Sequence, residues 1–174
     1  MHQATLQTPL KLALVALLMA LMVMAAPLGS PYIDTARDVY AAWRIASGSG
    51  WPLIGPAIGF FTYLGPAWFY VLAVPVLAAG SYAGTAMFVA LLGSLKFPLA
   101  WYLGSRWLDW RFGLLWAALL AWPGLWMYGL FTFSHFSVIE TAVLLFALLV
   151  WRGGRIVRRA GHHLMVRRAM VLAG

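Results

Sequence analysis

Apolar residues run through this chain in long stretches rather than in a soluble helix's alternating faces: 10–28, 60–79, 82–103, 112–131 and 138–151, with another beginning at Ala169. A helix needs about 20 consecutive apolar residues to cross the hydrocarbon core of a bilayer, and the longer stretches come close to that length. The pattern predicts an all-α polytopic membrane protein. Gly-Pro pairs at Gly55-Pro56, before the second stretch, and at Gly65-Pro66, within it, read as turns.

The placement of charge decides which stretches cross. Arg152, Arg155, Arg158, Arg159, Arg167 and Arg168 follow the fifth stretch. If all five stretches crossed from a cytoplasmic N-terminus, this cluster would lie outside, against the preference of Lys and Arg for the cytoplasmic side. Residues 60–79 are the best candidate for a stretch that does not cross. Pro66 and Pro75 interrupt it, and Tyr63, Trp68 and Tyr70 suit a membrane interface. The expected architecture is therefore four transmembrane helices (10–28, 82–103, 112–131, 138–151) and an outer loop, 29–81, with juxtamembrane helices. A basic cytoplasmic loop, 152–168, and the start of a further span, 169–174, complete it. The predicted location is the inner (plasma) membrane, multi-pass, with the N-terminus cytoplasmic.

Composition agrees. Hydrophobic residues make up 64% of the chain and charged residues 9%, against about 45–50% and about 25% in soluble domains, so a water-facing surface cannot be assembled. A formal net charge of +8 raises nucleic acid as a partner, but the basic residues fall in loops between apolar runs, and nucleic acid is excluded on that ground. Cysteine is absent, which removes disulfides and thiolate metal sites. Lys11 followed by an apolar run also resembles a secretory signal. Pro27 fits a small-x-small cleavage site poorly, and the stretch is read as an uncleaved first span.

Candidate chemistry gathers on the predicted outer side. Asp34 and Asp38 are four residues apart, on one face of a short helix that starts near Asp34. They read either as an N-cap and a solvated acid, or as a carboxylate just above the membrane acting as general base or metal ligand. Arg37 and Arg44 partly offset their repulsion. His135 and Glu140 fall at the turn between the third and fourth spans, where an ionisable side chain is a functional candidate. Lys96, inside the second span with Pro98 beside it, reads as snorkelling or pairing within the bundle.

The segments Tyr32-Ile-Asp34-Thr-Ala-Arg-Asp38, Trp43-Arg-Ile, Trp51-Pro-Leu-Ile-Gly55-Pro56 and Leu64-Gly-Pro66 together resemble the start of GT-C glycosyltransferases. These are the polytopic enzymes that take sugars from polyprenyl-phosphate carriers, such as protein mannosyltransferases and lipid A aminoarabinose transferases. Leu103-Gly-Ser-Arg-Trp-Leu resembles the family's basic cytoplasmic turn, and Phe133-Ser-His135 its second outer loop. The resemblance implies a catalytic Asp34, although the family's usual Asp-Glu pair is here Asp34-Thr35, which leaves Asp38 to supply a second acid. It also implies substrate-binding roles for Arg37, Arg44, His135 and Glu140, with a polyprenyl-phosphate sugar donor and membrane lipid as partners. Whether a metal takes part stays open: a divalent Mg or Mn ion is an alternative to direct binding of the donor phosphate. Family members run to several hundred residues with many more spans, so the resemblance also implies that this chain is an N-terminal part. The alternative reading is a small non-enzymatic membrane protein, a transporter subunit or scaffold, whose acids only cap helices.

Overall fold

The structure is a computed structural model that describes residues 2–29, 33–58, 62–63, 65–121 and 138–155, with side chains from Thr8 onward. Helix α1, His2–Ala25, passes through a 3-10 turn, Ala26–Leu28. Helix α2 is Ile33–Ala46. Strands β1, Ala57–Ile58, and β2, Thr62–Tyr63, pair antiparallel with Ala57 opposite Tyr63. Helices α3, Ala67–Ala79, α4, Tyr82–Ser94, α5, Lys96–Trp107, and α6, Trp110–Ala121, follow. A helical segment over 138–155, called α7 below, closes the described chain.

The architecture is helical, as the sequence indicates, apart from the two-residue strands. Among the described residues, two helices are long and apolar enough to cross a membrane: Thr8–Leu28, and Tyr82–Trp107, in which α4 and α5 run on through Leu95. Helix α3 has 13 residues, about 20 Å at 1.5 Å per residue, and is too short to cross a hydrocarbon core of about 30 Å. Only residues 112–121 of the stretch predicted over 112–131 belong to α6 as described, and the end of that stretch lies outside the described residues, as do His135 and 156–174.

Local chemistry sets the boundaries. Gly80 closes α3 in the left-handed conformation (φ +59°), its N–H bonded to the Val76 carbonyl, a conformation that costs glycine nothing. The next residue, Ser81, caps α4 by accepting a hydrogen bond from the Gly84 N–H at 3.1 Å. Asp109 starts α6, its Oδ1 accepting the N–H groups of Arg111 and Phe112 at 2.8 and 2.9 Å. The break between α4 and α5 follows from Pro98, which has no N–H to offer the Ser94 carbonyl.

Two apolar clusters hold the helices together. One joins Ala26, Ala42, Ile45, Phe69, Leu72 and Ala73 to Ala86, Val89 and Ala90, binding α2 and α3 to the upper part of α4. The other joins Val15 to Phe97, Ala100, Leu103, Ala117 and Leu144, binding α1, α5, α6 and α7. Helix α1 takes part in both through Met22, yet leaves most of its apolar side chains exposed, Leu10 at 62% and Met24 at 72%.

Helices α5 and α6 cross at two glycines. A Cβ on Gly104 would stand 2.7 Å from the Gly113 Cα, and one on Gly113 would collide with the Trp101 carbonyl oxygen. This is the close backbone approach that small residues permit between packed helices. Gly113→Leu is expected to force α5 and α6 apart at a cost of about 1–3 kcal/mol or more, read as a lower midpoint when the purified chain is titrated with sodium dodecyl sulfate. An unchanged midpoint would show that the crossing contributes nothing.

Candidate functional site

Helix α2 carries the candidate acids. It begins at Ile33, so Asp34 sits in its first turn rather than capping it from outside, which corrects the expected N-cap role while keeping the carboxylate near the positive end of the macrodipole. Thr35, Asp38, Ala42 and Ile45 face inward, at the spacing of a single buried face. Asp38 is therefore not a solvated partner of Asp34. It is 2% exposed, and its Oδ2 accepts the indole N–H of Trp68 at 2.9 Å.

Arg37 lies between the two acids. Its Nη1 donates to Asp34 Oδ1 at 2.9 Å, while Nε and Nη2 donate to Asp38 Oδ1 at 3.0 and 2.8 Å. One guanidinium thereby offsets the like-charge spacing of Asp34 and Asp38. The buried end of this chain is fixed by α3 through Trp68, and the outer end, Asp34, keeps 47% of its side chain exposed. The geometry presents a single carboxylate to solvent, held by an arginine that is itself anchored from below.

Trp68 and Tyr70, the aromatic residues expected at a membrane interface, also make contacts within the fold. Trp68 binds Asp38, and Tyr70 stacks on Trp51 at 6.3 Å and donates its hydroxyl to the Pro52 carbonyl at 3.2 Å. Trp68 gives the buried Asp38 carboxylate the donor it needs, and Tyr70 ties α3 to the segment around Pro52. Only Tyr63 is left largely exposed, at 60%.

The other candidate residues lie elsewhere. Arg44 is ten residues beyond Asp34, about 15 Å along the helix axis. Its carbonyl collects the N–H groups of Ser49 and Gly50 at the end of α2, and its guanidinium lies flat against Gly50, where a Cβ would come within 2.9 Å of its central carbon. Glu140 is paired with Lys96, Oε2 to Nζ at 2.5 Å, and Lys96 is 2% exposed. The structure thus ties Glu140 to the break in the α4–α5 span and not to Asp34. Beside it, the Thr141 hydroxyl lies 3.0 and 2.8 Å from the carbonyls of Leu92 and Gly93. The Ser94 hydroxyl donates to the Leu91 carbonyl at 2.8 Å. Among the described residues, no three His, Asp or Glu side chains gather as a metal centre.

Sequence reasoning did not find the cleft on the other flank of α2. It holds about 450 Å³ and is lined by Thr35, Val39, Tyr40, Trp43, Tyr82 and Thr85 among others. Val39 and Trp43 stand about 140° and about 180° around the helix from Asp34 at 100° per residue, so the cleft and the exposed carboxylate occupy different sides. The aromatic spacing of Tyr40 and Trp43, whose rings stack at 6.1 Å, was the available signal.

Set against protein-family models, curated proteins and solved structures, the chain matches none of them.

Proposed function

We propose that the chain is the N-terminal module of a multi-pass membrane glycosyltransferase of the GT-C kind, which moves a sugar from a polyprenyl-phosphate donor to an acceptor on the outer face. The observation that carries this reading is Asp34: an exposed carboxylate at the start of the first helix after the first long apolar helix, held by Arg37 and the buried Asp38. In the reaction, Asp34 takes the proton of the acceptor hydroxyl as its oxygen bonds to the sugar's anomeric carbon. The bond from that carbon to the phosphate oxygen breaks, and the polyprenyl phosphate leaves with the electron pair. Asp38 and Trp68 act at one remove, positioning Arg37. Arg37 also places a cation close to the developing charge.

A membrane setting is supported by the exposed apolar side chains of α1 and by the gathering of Lys11, Arg106, Arg111, Arg152 and Arg155 beside the Trp and Tyr rings of α5, α6 and α7. That pattern suits a cytoplasmic boundary with an aromatic belt, with the N-terminus inside and Asp34 outside. A cysteine introduced at Gly153, where the added side chain meets open space, is expected to react with an impermeant maleimide only from the cytoplasmic side. Labelling from the outer face would overturn this topology.

The rival reading, a small non-enzymatic membrane protein, draws on the closure of both carboxylates onto Arg37, an arrangement that also serves to brace α2. Sugar transfer by the full-length protein, assayed with and without Asp34→Asn, separates the two.

A further inference from the structure

Five cations from four helices come together at the end of the bundle remote from Asp34, and their arrangement is specific. Lys11 Nζ lies 3.9 Å from the ring centre of Trp110, over which Arg111 also packs at 5.4 Å. Arg155 covers Trp151 at 4.9 Å, and Trp151 meets Tyr102 edge-on at 6.4 Å. Arg106 packs over the Tyr102 ring at 5.4 Å, and Arg106 and Arg152 are both charged neighbours of the phenol. Arg106 and Arg152 thus neighbour one phenol, and Arg155 covers the Trp151 ring that the phenol's own ring meets.

Among the described residues, none of these five cations has a carboxylate within ion-pair distance. Asp109, the acid nearest in sequence to Arg106 and Arg111, spends Oδ1 on the first N–H groups of α6. Converging guanidinium groups with free donors suit a phosphate, whose oxygens accept paired N–H groups.

The neighbours of these cations decide what kind of phosphate. Leu10 and Leu12 flank Lys11, Leu108 follows Arg106, and Leu149 and Val150 precede Arg152; all are exposed apolar side chains. A ligand filling this surface must present an anionic head to the arginines and hydrocarbon to the leucines, which describes an anionic phospholipid and neither a free phosphate nor a nucleic acid. Basic groups between helices on the cytoplasmic side bind lipid head groups on the same physical grounds.

We propose that Arg106, Arg152 and the Tyr102 hydroxyl form a binding site for the phosphate of an anionic phospholipid in the inner leaflet, with Arg155 as an auxiliary cation. The site rests on the membrane reading given above, and is independent of whether Asp34 is catalytic.

The test is native mass spectrometry of the purified 174-residue chain released from nanodiscs containing phosphatidylglycerol and phosphatidylcholine in equal amounts. Wild type is expected to retain phosphatidylglycerol preferentially. Arg106→Gln with Arg152→Gln is expected to lower that preference by about fivefold per arginine removed, while Arg106→Lys with Arg152→Lys, which keeps the charge, recovers part of it. Equal retention of the two lipids by wild type overturns the site, as does an undiminished preference in the glutamine variant. Displacement of the lipid by millimolar glycerol phosphate would assign the site to a soluble phosphate and overturn the lipid assignment. Maleimide labelling at position 153 is read on the same preparations before extraction. Outer-face labelling with the lipid preference intact rejects the topology and keeps the site, and cytoplasmic labelling with no preference does the reverse.

Discussion

Glu140→Ala should destabilise the folded chain by about 3 kcal/mol, the lower part of the range for stripping one partner from a buried ion pair. Lys96 is 2% exposed and lies 2.5 Å from the Glu140 carboxylate, so the substitution removes an anionic partner from a buried ammonium. The lower part of the range applies because Glu140 itself keeps 33% of its side chain exposed. Glu140→Gln should cost nearly as much, since it preserves shape and removes charge. Replacing both residues, Lys96→Met with Glu140→Met, should recover most of the loss, because a buried pair exchanged for apolar side chains of similar volume is close to neutral. Unfolding midpoints of the three variants in detergent check this. A single-variant loss within about 0.5 kcal/mol, the range of ordinary surface changes, would mean that the pair is solvated.

Asp34 and Asp38 should separate in opposite directions. Asp34→Asn is expected to reduce sugar transfer by the full-length enzyme about a hundredfold to ten-thousandfold, the usual cost of losing a general base. Its effect on stability should stay under about 1 kcal/mol, because the lost ion pair to Arg37 is exposed. Asp38→Ala should do its first damage to the fold: it removes the carboxylate that accepts the Trp68 N–H, at about 1–3 kcal/mol, and frees Arg37 to swing. Activity in that variant should fall through misplacement of Asp34. Asp38→Asn, which keeps an acceptor for Trp68, should restore stability ahead of activity. If Asp34→Asn keeps more than about a tenth of wild-type transfer, a barrier change under about 1.4 kcal/mol, the carboxylate is not the base.

The helical character and the positions of Tyr82 and of the apolar runs were legible because long apolar stretches have few ways to fold. The partnership of Lys96 was half legible: a lysine inside an apolar run must pair or snorkel, but nothing local to Lys96 points to Glu140, 44 residues away. The inward turn of Asp38 was hidden for the same reason. Helical spacing places Asp34 and Asp38 on one face, but which of them is buried depends on α3 arriving with Trp68, a contact across 30 residues. The short hairpin of Ala57–Ile58 with Thr62–Tyr63 left only a faint trace in Ile58, Thr62 and Tyr63, residue types that favour extended backbone. The cleft beside Tyr40 and Trp43 was half legible: those two aromatic positions mark one wall in the sequence, and the other arrives only by packing, with Tyr82 and Thr85.

The broken span has a bearing on biogenesis. Carbonyls at its interruption, those of Leu92 and Gly93, are served by Thr141, and its buried ammonium by Glu140. Both partners are synthesised more than forty residues later, so the nascent chain lacks these contacts until α7 emerges. A growing polypeptide halted before residue 138 lacks these contacts and should therefore be held by insertion chaperones or cleared by membrane proteases. Release of the first spans from the insertion machinery would then be timed by the arrival of Glu140 and Thr141.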